Sequence, residues 1–278
     1  MKENSDLNDR VSKTRTRRFG PLPAGTFASA APAKDETLDA LFGGDLKLYQ
    51  KRRGYRVSLD SILLADFATI RPGNRVIDLG TGNGVIPLIL AYRYPSISVT
   101  GVEIQRQMAD RAARNVRLNG YEDRIAIACM DISSAAEHFK PESCDSVVCN
   151  PPYRRASSGR LSPSSEKQIA RHELKARLDD FVNAAAFSLK NKGFFACLQV
   201  EDRTVDLLTA MRSAGIEPKR LRVVHPFADA EASMILVEAV KGGRGGLEIL
   251  PPLVVYVSAQ MYTAELKAIL ARGPRGSF

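Results

Sequence analysis

Residues 150 to 153 read Asn-Pro-Pro-Tyr, directly after the largely apolar run from Asp145 to Cys149. The Asn150 amide oxygen and the Pro151 carbonyl are two acceptors set close together, suited to the two hydrogens of a planar exocyclic NH2. Pro151 and Pro152 lack an N–H and have a fixed φ, which leaves the carbonyls of the turn free to face a ligand. Held in this way, an amine nitrogen has its lone pair drawn out of conjugation and aimed at an electrophilic methyl. Proximity and electrostatic alignment then carry the rate, without a strong base. Tyr153 can stack on the ring that bears the amine, as a base extruded from its neighbours requires. The bland alternative is an Asn-Pro turn with an exposed tyrosine.

A second constellation lies upstream. Gly80, Thr81, Gly82, Asn83 and Gly84 follow the run Arg75 to Leu79 and lead into a helical pattern. Glycines at such a strand end let the backbone turn sharply and approach a ligand that side chains would exclude. Val85 stands where a dinucleotide fingerprint needs a small residue, and the Lys-Ser or Lys-Thr of a phosphate loop is missing. Three carboxylates, Asp78, Glu103 and Asp131, fall at the ends of three successive expected strands. Glu103 suits the two ribose hydroxyls of a nucleoside, whether of NAD or of S-adenosylmethionine. Asp131 suits an adenine amino group, with Ile104 and Ile132 flanking the ring. For any one of these acids taken alone, a solvated turn is the simpler reading.

Positioning these groups takes a sheet. Strands are expected at 75–80, 98–103, 125–130, 145–150 and 193–200, alternating with amphipathic segments of helical length, the pattern of a mostly parallel sheet flanked by helices. After the second strand, Ile104, Met108, Ala112 and Val116 recur every four residues, and Asn119-Gly120 stops that helix. The segment 178–193 reads as a helix closed by glycine, and 220–225 with 232–240 as an antiparallel closing pair joined by a short acidic loop. The fold class expected is α/β, a seven-stranded sheet with helices on both faces. Residues 1–37 read as a flexible basic, Pro/Ala-rich arm, and 38–278 as one domain with a pre-sheet segment (38–73) and a C-terminal extension (241–278).

The chain has 278 residues, 44% of them hydrophobic, and carries a formal charge of +9. That length fits one large domain, and the charge points to a polyanionic partner. No apolar stretch is long enough to cross a bilayer and no secretory signal opens the chain, so a cytoplasmic location is the default expectation. The cysteines Cys129, Cys144, Cys149 and Cys197 form no C-x-x-C pair and read as buried, reduced thiols. His138, His172 and His225 are scattered, so no metal is expected.

The run Asp-Leu-Gly-Thr-Gly-Asn-Gly, the acid of Gly-Val-Glu-Ile, the Asp of Cys-Met-Asp-Ile and Asn-Pro-Pro-Tyr, in that order, resemble the S-adenosylmethionine-dependent amino-methyltransferases of the class I Rossmann-like fold. The flanking segments 49–67, 170–173, 237–243, 251–256 and 262–266 narrow the likeness to the bacterial tRNA1(Val) adenine-N6-methyltransferase family. The resemblance implies that Gly80, Gly82, Gly84, Glu103 and Asp131 hold the cofactor and that Asn150, Pro151, Pro152 and Tyr153 receive the target amine. It also implies that the segment before the sheet covers the cofactor pocket, with Arg56, Ser58, Asp60 and Ser61 near its rim. Candidate phosphate ligands are Arg154 and Arg155 beside the turn, and Arg15, Arg17 and Arg18 in the arm. The substrate expected is an adenine in tRNA. The same turn serves enzymes that methylate glutamine in release factors, and a non-catalytic RNA- or dinucleotide-binding module is a third reading.

Overall fold

The computed structural model describes residues 32–53, 56–151 and 178–275. Five parallel strands, β3 (Arg75–Leu79), β4 (Ser98–Glu103), β5 (Ile125–Cys129), β6 (Cys144–Cys149) and β7 (Leu189–Val200), form the middle and one side of the main sheet. β9 (Met234–Lys241) runs antiparallel to β7 and to β8 (Ile216–His225), the expected closing pair. The short strands β10 (Glu248–Ile249) and β11 (Leu253–Val254) both add to β8. The order is β10-β8-β9-β7-β6-β3-β4-β5 with β11 beside β8, nine strands where the sequence led us to expect seven. The sequence shows a further extended run within residues 241–257, but pieces of two residues are too short to leave a period-2 signal, so β10 and β11 are not read as separate strands.

Residues alternate between the two faces. Val76, Val148, Ala196 and Leu236 pack beneath α1 (Leu59–Phe67), α2 (Val85–Arg93) and α3 (Arg106–Leu118). Ile77, Val147, Cys197 and Val237 pack on the other side against α5 (Leu178–Ser188) and α6 (Thr204–Ser213), with the short α4 (Ala135–His138) nearby. A further short helix, α7 (Ala264–Leu270), buries Leu266 and Ile269 on the first face. Both faces are therefore covered, as a parallel sheet requires.

Three boundaries differ from expectation. The helix that begins at Leu178 ends at Ser188, and the chain from Leu189 already belongs to β7, with an irregular register between Cys144 and Ser146 on the partner strand. On α3, Ala109, Ala112 and Val116 are buried, but Ile104 precedes the helix and stands 48% exposed, outside the core stripe. Before the sheet, β1 (Glu36–Leu41) and β2 (Leu46–Lys51) form an antiparallel hairpin, so Glu36 and Thr37 belong to an ordered strand and not to the arm. The chain leaves β3 toward β4 and β5, then returns to place β6 on the other flank of β3. The crevice at the carboxyl ends of β3 and β6 is thus the switch point where open α/β sheets bind ligands.

Candidate active site at the carboxyl edge of the sheet

The glycine loop is held from behind. The N–H groups of Gly80 and Thr81 both donate to the Val102 carbonyl, at 2.9 and 2.8 Å, and that of Gly84 donates to Thr81 O at 3.0 Å. Gly80, Gly82 and Gly84 have φ of 76°, 59° and 82°, the left-handed region that glycine enters without strain. At Gly84 a Cβ would also lie 3.1 Å from the Ala112 Cβ on α3. The loop therefore fits closely against α3 and turns its open side to the crevice.

Around that loop the buried polar groups lack partners. The Asn83 amide makes no hydrogen bond among the described residues, and the Asp78 carboxylate and the neighbouring Thr81 hydroxyl fall short of a well-formed one. Burial pushes the Asp78 carboxyl up to about 7, Thr81 pulling it down and the charge of Glu103 pushing it further up. Buried polar groups are nearly always satisfied, and orphans of this kind ask for an outside donor or cation. Glu103 is placed differently. Its carboxylate accepts from the Gly82 N–H at 2.8 Å and the Gln105 N–H at 2.9 Å. Burial raises its pKa, with the amides of Gln105, Gly82 and Ile104 opposing. Asp131 is exposed, caps the turn Ile132–Ser134 through the Ser133 N–H at 2.9 Å, and has Ile132 buried beside it.

S-adenosylmethionine fits this donor set. The orphaned Asp78 would take its ammonium, the Glu103 oxygens its ribose hydroxyls, and Asp131 with exposed Ile104 and Ile132 its adenine. The loop from Gly80 to Gly84 leaves room for the backbone to approach it. Among the described residues no group of His, Cys, Asp and Glu could hold a metal ion.

The other half of the site lies on β6. The register Leu79↔Cys149 aligns the last paired residues of β3 and β6, so Gly80 and Asn150 follow as neighbours at two adjacent strand tips. Adjacent strands lie about 4.8 Å apart, which sets Asn150 beside the start of the loop. Asn150 is half-buried and Pro151 buried. Pro152, Tyr153, Arg154, Arg155, Arg15, Arg17 and Arg18 lie outside the described residues. Of the cysteines, Cys144, Cys149 and Cys197 are buried and free, and Cys129 is half-buried and free.

A second set of residues supports the loop, and the sequence reading missed it. Asn115, fully buried on α3, donates to the Asn83 carbonyl at 2.9 Å and to Tyr49 O at 3.2 Å, and accepts from the Tyr49 N–H at 2.6 Å. Asn119 accepts from the Lys47 N–H at 2.9 Å and donates to Lys47 O at 2.7 Å. Glu36 receives Arg111 Nε at 2.8 Å and Arg114 Nη1 at 2.9 Å. Burial pushes the Glu36 carboxyl upward, but hydrogen bonds from Arg114, the Ala33 N–H and Arg111 outweigh it and hold the pKa down at about 2. Arg111, Asn115 and Asn119 recur every four residues beside the apolar stripe, which was the signal available. Arg56 folds back onto the hairpin, donating to Lys51 O at 2.8 Å and pairing with Asp39, while Gln50 accepts from the Val57 N–H at 2.6 Å. Thus β1 and β2 are clamped over α3 next to the loop.

A doubly wound sheet with a glycine loop at its switch point and an Asn-Pro turn on the neighbouring strand defines a nucleotide-cofactor transferase site. The sequence model of the methyltransferase small domain family matches residues 56–198, and the chain belongs to that family. Among curated relatives, the tRNA1(Val) (adenine(37)-N6)-methyltransferase of Porphyromonas gingivalis is 32% identical over 189 residues, 66% of this chain and 73% of that one. Its namesakes in Vibrio campbellii and Phocaeicola vulgatus are 28% and 27% identical, covering 77% and 92% of their own lengths. Among solved structures, one described as a predicted O-methyltransferase of Agrobacterium tumefaciens has a TM-score of 0.63 at 21% identity, covering 79% of this chain and all of the other. That likeness is one of fold.

Proposed function

We propose that the protein is an S-adenosylmethionine-dependent methyltransferase acting on the exocyclic N6 amine of an adenine in tRNA, at the anticodon-loop position named in its relatives. The observation that carries the reading is the juxtaposition of Gly80 and Asn150 at the tips of the paired strands β3 and β6. When bound, the cofactor supplies a methyl on a positively charged sulfur. Asp78 and Glu103 provide negative charge in a dry crevice, where it acts more strongly than in water. The Asn150 amide oxygen and the Pro151 carbonyl each accept one amine hydrogen, hold the nitrogen at the mouth of the loop and leave its lone pair as the exposed nucleophile. Tyr153 stacks on the extruded adenine, and Arg154, Arg155, Arg15, Arg17 and Arg18 take phosphates. The reaction belongs to the parallel core, with the basic arm before β1 as an appendage for the RNA.

The test is mass spectrometry of nucleosides from tRNA of cells lacking this gene, after incubation with the cofactor and either wild type or Asn150→Ala. N6-methyladenosine with wild type, and a loss of about 10²-fold or more in the variant at near-normal cofactor affinity, is the expected result. Methyl incorporation into a release factor in place of tRNA overturns it. Among the described residues no helix is long and apolar enough to cross a membrane.

A further inference from the structure

We infer that RNA enters the site over the open end of the β1–β2 hairpin, with Arg52 and Arg53 as phosphate ligands, and that the acids after β7 and between β8 and β9 repel it. This rests on the proposed tRNA methyltransfer and specifies the side from which the substrate approaches.

The clamp fixes where those arginines lie. Lys47 is bonded to Asn119, Tyr49 to Asn115, and Glu36, which faces Lys51 across the hairpin, to Arg111. Four residues of helix rise about 6 Å and two residues of strand about 6.5 Å, so β2 runs alongside α3 in matched steps. It runs toward the amino end of α3, which follows the carboxyl tip of β4. The residues after Lys51 therefore emerge at the carboxyl edge, beside the glycine loop. Arg52 and Arg53 are exposed there, and neither guanidinium has a carboxylate partner among the described residues. The nearby acids are already neutralised, Asp35 by Lys51 and Asp39 by Arg56.

Among the described residues the edge beyond β6 changes sign. Glu201 and Asp202 directly follow β7, and Asp229 and Glu231 lie in the turn between β8 and β9; the pairing Val200↔Met234 sets that turn at the level of the β7 end. All four are exposed, with no cation partner among the described residues, and Arg203, next to Asp202 in the chain, pairs with Asp206. A polyanion is thus attracted to the hairpin side of the target-base site and repelled from the other, which steers its encounter as well as holding it.

The experiment measures tRNA affinity against salt concentration for wild type, Arg52→Glu/Arg53→Glu, and Glu201→Gln/Asp202→Asn/Asp229→Asn/Glu231→Gln, with cofactor affinity and melting temperature as checks on folding. The hairpin variant is expected to weaken tRNA binding about tenfold or more near 0.1 M salt and to lower the slope of log K against log salt by about 1.5. The acid variant is expected to bind as tightly as wild type or more tightly. A hairpin variant within twofold of wild type at unchanged slope overturns the inference, as does weaker binding by the acid variant. If the wild type neither binds nor methylates tRNA, the functional reading itself fails, and this inference fails with it.

Discussion

The glycine-loop crevice and the hairpin seam are neighbours, yet their buried polar groups are in opposite states. In the seam, Asn115, Asn119, Gln50 and Glu36 are all bonded within the protein. In the crevice, Asp78, Thr81 and Asn83 carry buried atoms without well-formed partners. Satisfied groups raise the stability of the fold, and orphaned ones cost stability until a ligand answers them. The difference assigns architecture to one region and binding to the other.

The comparison is broken most severely at Glu36. Glu36→Ala leaves Arg111 buried without its carboxylate and is expected to lower stability by about 3 to 5 kcal/mol in denaturant titration. The wild-type contribution is fully present above the ordinary carboxylate value of 4.5 and is lost as pH falls toward the folded value of about 2. Next comes Asn115→Ala, which strands the Tyr49 N–H and should cost about 1 to 3 kcal/mol. Cofactor affinity should fall less than stability, since only the support of the Asn83 carbonyl is removed; an affinity loss without a stability loss would contradict the division.

The crevice should behave in the reverse sense. Asp78→Asn removes a desolvated carboxylate, so the free protein should keep or gain stability above neutral pH while cofactor affinity, read by calorimetry, falls about 10- to 100-fold. The smallest effect expected is one of pH. The folded pKa of Asp78, about 7, lies above the ordinary 3.8, so the free protein loses stability as pH rises between those values. An ammonium beside the carboxylate reverses this, and the melting-temperature gain from the cofactor should grow from pH 6 to pH 8. A gain that is flat or shrinks with pH would remove Asp78 from the cofactor's amino group.

The crevice was legible in the sequence because its parts are local. Glycine spacing, an acid at a strand end and Asn-Pro-Pro-Tyr are each written within a few residues, and the strands that carry them have strong apolar runs. The seam was not, because it joins residues 66 to 72 positions apart through side chains that bind peptide groups. Neither Lys47 nor Tyr49 announces such a partner. Ile104 was readable twice, as a core residue and as a ring-flanking one, and its exposure removes the first. The two-residue strands β10 and β11 depend on the exposed backbone of β8 and carry no pattern of their own.

Asn115 and Asn119 grip the main chain of β2, whatever side chains it bears. The exposed letters of the hairpin can therefore drift over generations while Glu36, the buried Leu46 and Leu48 and these backbone bonds keep its attachment constant. Charges at its open end, after Lys51, can be added, removed or inverted without disturbing the crevice next door. Such a scaffold lets one chemistry be refitted to differently shaped RNAs by rewriting a few exposed letters.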